Sequence, residues 1–134
     1  MKINLIKHET EGRPNYQNIF MSDDSIGQLP ENGCSEIIMA NSNIDYISNS
    51  TLDIILSKLR HSAILEIESA DCLEVARAAH LGLIDENQMS ELLANGKHRL
   101  THVVQVNNYL QEKGLAIEFA STNQSLYHIR ARRP

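Results

Sequence analysis

The stretch TLDIILSKLRHSAILEIESADCLEVARAAHL, residues 51–81, decides the fold class of this chain. Residues 51–60 place their apolar side chains at helical spacing on one face. Residues 62–68 alternate as a strand does, and residues 72–81 predict a second helix with Asp71 as its N-cap. Because a helix, a strand and a helix follow one another without a gap, this stretch predicts an α/β fold.

The flanking sequence extends the same alternation in both directions. Two further helices and five further strands are predicted, at 86–94 and 100–113 and at 2–6, 18–21, 35–40, 115–121 and 126–132. The run SEIIMA at 35–40 is typical of a strand that is covered on both faces. The short link between the last two strands predicts an antiparallel hairpin that turns at Asn123. We therefore expect a mostly parallel sheet with a C-terminal antiparallel β-hairpin.

Composition narrows the possible partners. The chain has 134 residues, which fits a single domain over 1–134, and a net charge of −5. An acidic balance disfavours nucleic acids and anionic membranes, and no apolar run is long enough to span a bilayer. The N-terminus lacks the apolar run of a signal peptide, and two cysteines are too few for a disulfide framework, so we expect a cytoplasmic protein. The arginines of the tail, 130, 132 and 133, are either a solvated end or a phosphate-binding tail.

Several short motifs resemble those of a known family. Residues 57–60 read SKLR, residues 73–77 read LEVAR, and Leu29-Pro30 precedes the strand at 35–40. Residues 45–47, DYI, stand where the family usually has glutamate, histidine and isoleucine. On these residues the chain resembles the small phage and bacterial class I S-adenosylmethionine-dependent methyltransferase-like proteins. The resemblance covers most of the chain from Leu29 onward.

The resemblance implies a truncated Rossmann-like fold with S-adenosylmethionine, or another small nucleoside, as its ligand. The family's first strand leads into a glycine-rich turn, whereas in this chain Ile6 is followed by Lys7 and His8. Glycine lets a backbone approach a cofactor with positive φ, and a β-branched residue does so only with strain. The resemblance implies five cofactor-binding positions: Lys7, His8, Asp23, Ala40 and Asn41. Asp24 is an alternative to Asp23.

Other groups of reactive residues give weaker indications of a functional site. His98 and His102 could share a helix face as metal ligands, but no third ligand is apparent, so no metal site is predicted and surface residues are the alternative. Glu66 and Glu68 lie near the end of a predicted strand, where Glu68 could face a site; the alternative is a solvated strand end or an ion pair with Lys58 or Arg60. No Gly-x-Ser-x-Gly or Walker motif is present, and no catalytic residue is assigned.

These residues are compatible with three hypotheses for function. The first is a methyltransferase-like enzyme that retains some binding of S-adenosylmethionine, although the lost glycines predict weakened or absent binding. The second is a pseudoenzyme: a non-catalytic interaction or structural subunit, in which a homodimer covers the surface left by a shortened fold. The third is a different small-molecule enzyme on the same fold, because fold does not fix function.

Overall fold

The computed structural model describes all residues, 1–134, and contains a six-stranded sheet with five α-helices. The strands are β1 (Lys2–Ile6), β2 (Gln17–Phe20), β3 (Cys34–Met39), β4 (Leu59–Ala70), β5 (Ala116–Asn123) and β6 (Leu126–Arg132). The helices are α1 (Asp23–Gly27), α2 (Asn49–Ser57), α3 (Cys72–His80), α4 (Glu86–Leu93) and α5 (Val103–Glu112). Short 3₁₀ turns lie at Glu9–Glu11 and Asn43–Tyr46.

The strand order is β2-β1-β3-β4-β6-β5, and it confirms the predicted sheet. The first four strands in this order are mutually parallel, while β6 is antiparallel to both β4 and β5. The chain leaves β1 toward β2 and then crosses β1 to reach β3. The order therefore reverses between β1 and β3, and that point is the topological switch of the sheet.

The two faces of the sheet are covered differently. The face that carries Ile3 and Leu5 packs on α1, α2 and α5 and forms the hydrophobic core. Asn4 and Ile6 point to the other face and are buried there, and the Asn4 side chain donates to the Glu11 carbonyl of the connection 7–16. The sequence predicted cover on both faces of β3. Helices cover one face, and on the other Tyr16 of the connection 7–16 donates to Glu36 of β3 at 2.8 Å.

On the loop-covered face, the β4–β6–β5 part of the sheet carries charged side chains. Arg130 of β6 bonds to Glu66 of β4 and Glu118 of β5, and Arg132 also bonds to Glu118. His128 lies 3.7 Å from Glu66. Acid–base pairs between neighbouring strands make this face compatible with water.

Several boundaries differ from the predicted ones for local reasons. Helix α1 was not predicted, although Ser22 caps it by accepting the Ser25 amide. Helix α5 begins at Val103 because His102 is its N-cap, three residues later than expected. The hairpin turns at Gln124–Ser125, both with positive φ, rather than at Asn123. That geometry corresponds to a type I′ turn, which matches the twist of the two strands.

Candidate functional site

The carboxyl ends of the four parallel strands meet at one edge of the sheet, and ligands of open α/β sheets bind at that edge. In the register of β1 with its neighbours, Ile6 lies beside Phe20 of β2, and Leu5 beside Met39 of β3. Residues 7–8, 21–23 and 40–43 therefore follow three adjacent strands. The sequence-predicted positions all lie on or just beyond this edge.

The crevice at the switch point contains side chains of the chain itself. Asn43 is buried, and its amide donates to the Leu5 carbonyl at 3.3 Å and to Glu11 Oε1 at 2.8 Å. The same Glu11 oxygen accepts the backbone N–H of Lys7 at 3.0 Å. The Glu11 carbonyl accepts the Asn4 side chain, also at 3.0 Å. The Glu11 carboxylate thus accepts the backbone N–H of Lys7, the first residue after β1.

Lys7 and His8 lie at the start of the connection between β1 and β2, and both are exposed. The Lys7 ammonium lies 3.4 Å from the centroid of the Tyr46 ring, in a cation–π contact that crosses the switch point. His8 is the N-cap residue of the 3₁₀ turn, and its side chain makes no capping hydrogen bond. The Lys7 side chain and the Glu11 carboxylate therefore connect β1 with the segment that follows β3.

The remaining predicted positions lie along the same edge. Asp23 accepts a hydrogen bond from the Thr51 hydroxyl at 3.2 Å, so it links the starts of α1 and α2. Ala40 is buried, and Asn41 is exposed with a left-handed φ of 57°. Ser42 has the same conformation, and its hydroxyl accepts the Ala70 amide at 2.8 Å. None of the three main cavities is lined by the five predicted residues.

Sequence reasoning did not identify Glu11 and Asn43 as residues of this edge. Glu11 lies in a polar stretch that reads as an ordinary loop, and nothing local distinguishes its carboxylate from that of Glu9. Asn43 belongs to the run Asn-Ser-Asn after β3, and its turn-forming composition was a detectable sign of an unusual backbone. Their pairing spans 32 residues, so only the folded chain brings them together.

A buried ion pair between Asp45 and Lys97 lies beside the turn that follows β3. Asp45 accepts the Lys97 ammonium at 2.8 Å and the Thr101 hydroxyl at 2.6 Å. Thr101 also hydrogen-bonds to the hydroxyl of Tyr127, and burial raises the pKa of that phenol. The Asp45 carbonyl accepts the amides of residues 98 and 99. The segment between α4 and α5 is therefore attached to the turn that follows β3.

Asp71, at the end of β4, holds two helices at once. Its Oδ1 accepts the amides of Leu73 and Glu74, which caps α3 as the sequence predicted. Its Oδ2 accepts the Val103 amide at 2.9 Å, so the same carboxylate also holds the start of α5. The carboxylate faces the helix N-termini, where negative charge is favourable.

The other candidate residues do not form a second site. His98 lies before α5 and His102 caps it, so they do not share a helix face, and no group of three or more metal-ligating side chains occurs. The expected ion pair with Lys58 or Arg60 does not form: Glu66 pairs with Arg130, and Lys58 pairs with Glu31. Arg133 donates to the Leu59 carbonyl and to Asn32. The tail arginines are therefore engaged in contacts within the chain.

Known structures share this fold at low sequence identity. An S-adenosylmethionine-dependent methyltransferase from Mesorhizobium loti is 13% identical, with a TM-score of 0.63, over 98% of this chain and 89% of its own. A Thermotoga maritima methyltransferase, described as a possible histamine N-methyltransferase, is 10% identical with a TM-score of 0.68, over 99% and 82%. A third, from Archaeoglobus fulgidus, is 14% identical with a TM-score of 0.59, over 97% and 75%.

The chain has the fold of the class I S-adenosylmethionine-dependent methyltransferases. It is a truncated, Rossmann-like form of that fold, with the C-terminal antiparallel hairpin that the sequence predicted. No family model and no curated protein matches the sequence. No helix is both long and apolar enough to cross a membrane.

Proposed function

We propose that this chain is a methyltransferase-fold protein in which binding of S-adenosylmethionine is weakened or lost. The observation that carries the proposal is the Glu11 carboxylate at the switch point, bonded to Asn43 and to the Lys7 amide. A cofactor at this edge would need backbone amides and open space at the turn after β1. In this chain the backbone amide of Lys7 already has an acceptor, the Glu11 carboxylate.

The residues of the turn support the same conclusion. Ile6 is buried at the end of β1, and Lys7 follows it where the resembling family has glycine. Each hydrogen bond that a ligand loses, with its partner left unsatisfied, costs about 1–3 kcal/mol. Two such losses weaken binding roughly 30- to 20,000-fold, because every 1.4 kcal/mol is a factor of ten. The contacts within the crevice thus support weakened or lost binding, and no residue is assigned a role in methyl transfer.

Calorimetric titration with S-adenosylmethionine and S-adenosylhomocysteine tests the proposal. We expect no binding tighter than millimolar by the natural chain, and no cofactor in the purified protein. Glu11→Gln removes the negative charge at the crevice, and Glu9→Gln is its matched control, because the exposed Glu9 side chain makes no hydrogen bond or ion pair. Micromolar binding by the natural chain, or cofactor that copurifies with it, would contradict the proposal.

A non-catalytic interaction subunit that associates with itself is the second candidate function. Its support is the pair α3 and α4, which pack against each other and bury only Val75. Leu73 of α3 is 59% exposed, and Leu81 and Leu83, in the link between α3 and α4, are 57% and 74% exposed, so this part of the chain presents apolar side chains to solvent. Light scattering across a concentration series tests self-association. A monomer at every concentration would contradict the homodimer.

A further inference from the structure

A separate cavity of about 270 Å³ lies between α2 and α5. Its apolar wall is formed by Ile44, Leu52 and Val106. Asn49, at the start of α2, and Arg99, before α5, contribute polar groups to the same lining. None of the residues predicted for the cofactor lines this cavity, so a ligand bound in it would be independent of the proposed function.

Arg99 has no charged partner in the chain. Its Nε donates to the Ile44 carbonyl at 3.3 Å, and its Nη1 donates to the side-chain oxygen of Asn49. Its Nη2 is buried and has no hydrogen-bond partner. Burial lowers the pKa of the guanidinium, because it removes water from around the charge. A partly buried cation without a counter-ion is costly and calls for an explanation.

Two nearby carboxylates, Asp45 and Asp53, are engaged elsewhere, whereas Glu112, at the end of α5, lines the cavity and forms no ion pair. Asp45 binds Lys97 and Thr101. Asp53 accepts from the Tyr109 hydroxyl and pairs with Lys113 at 3.3 Å. The side-chain nitrogen of Asn49 makes no hydrogen bond, so it is a second donor beside the guanidinium. The cavity therefore combines the unpaired positive charge of Arg99, a free amide donor beside it, the carboxylate of Glu112 and an apolar wall.

We propose that this cavity binds a small organic monocarboxylate with an apolar body. The guanidinium fork of Arg99 matches the geometry of a carboxylate, and the Asn49 amide supplies a further donor. The apolar body packs on Leu52 and Val106. The volume lies just below the range of about 300–1,000 Å³ that is typical of drug-sized ligands, so the occupant is small.

Benzoate is the probe, and benzyl alcohol is its uncharged counterpart. We expect saturable binding of benzoate by calorimetry, with much weaker binding of benzyl alcohol and of inorganic phosphate. In spectra of the ¹⁵N-labelled protein, benzoate should shift the backbone amides of Arg99 and Val106. Absence of saturable binding, equal binding of benzyl alcohol, tighter binding of phosphate, or shifts confined to Lys7 and Asn41 would each overturn the proposal.

Asn49→Asp tests the role of Arg99 in a variant that should fold. The new carboxylate lies beside the guanidinium and at the first residue of α2, where a negative charge is favourable. It supplies the missing counter-ion, so benzoate should bind at least about tenfold more weakly, as loss of a charged hydrogen bond predicts. Ser50→Asp adds the same charge to the next residue, outside the cavity lining, and should leave the affinity unchanged. Equal affinity of Asn49→Asp and the natural chain would overturn the assignment.

Discussion

The buried pair of Asp45 and Lys97 gives the sharpest prediction about stability. Asp45 Oδ2 and Lys97 Nζ are 2.8 Å apart, and the two side chains are only 1% and 5% exposed. Removing one partner of such a pair leaves a buried charge without compensation, which typically costs about 3–5 kcal/mol. Asp45→Asn keeps an oxygen for the Thr101 hydroxyl, so its cost reports mainly on the lost charge. We expect Asp45→Asn and Lys97→Met each to destabilise the fold by that amount.

The double variant separates the pair from its surroundings. When both charges are replaced, neither is left buried alone, so Asp45→Asn/Lys97→Met should be less destabilised than either single variant. Urea unfolding followed by far-ultraviolet circular dichroism measures all three. With a slope of about 1.5 kcal/mol per molar urea, each single variant should lower the midpoint by roughly 2–3 M.

The control for this cycle is the exposed pair of Glu74 and Arg77, whose side chains are 38% and 70% exposed. Removal of this exposed pair should lower the free energy of unfolding by less than about 1 kcal/mol. Single variants of Asp45 and Lys97 that cost no more than the surface pair would refute the reasoning. So would a double variant whose loss equals the sum of the two single losses.

Two further predictions concern a capping residue and a phenol. Asp71→Ala should destabilise the chain by about 2 kcal/mol in urea, because it removes the cap of α3 and the hydrogen bond to the first amide of α5, at roughly 1 kcal/mol each. Asp85→Ala removes only the cap of α4 and should cost about half as much. Equal losses would show that the contact of Asp71 with α5 contributes nothing. Burial and the hydrogen bond to Asp53 raise the pKa of Tyr109 from 10.0 to about 12. The folded state thus holds this proton more tightly than the unfolded state does, so the contribution of Tyr109 to stability is full below pH 10 and is lost as the pH rises through about 12. An ultraviolet or NMR titration should show the Tyr109 pKa moving back toward 10.0 in Asp53→Asn, and an unchanged pKa would contradict the assigned contact.

The predicted site and the structure agree in position more than in detail. The expected residues follow β1, β2 and β3 at the carboxyl edge, as parallel strands require. Their role in binding S-adenosylmethionine stays a prediction. The return of Glu11 to the end of β1 could not be predicted, because a loop glutamate has no local pattern that fixes its partner. The unpaired guanidinium of Arg99 was likewise unpredictable, since it depends on which carboxylates the other cations engage.

Local sequence by itself determined the order of helices and strands, except for α1, and the C-terminal hairpin. Apolar spacing, the caps at Asp71 and Asp85, and the short link before β6 depend on residues only a few positions apart. Only the tertiary structure decided which charges are paired. Asp45 meets Lys97 across 52 residues, and Asn43 meets Glu11 across 32. Such contacts depend on the register and curvature of the whole sheet, which no short segment encodes.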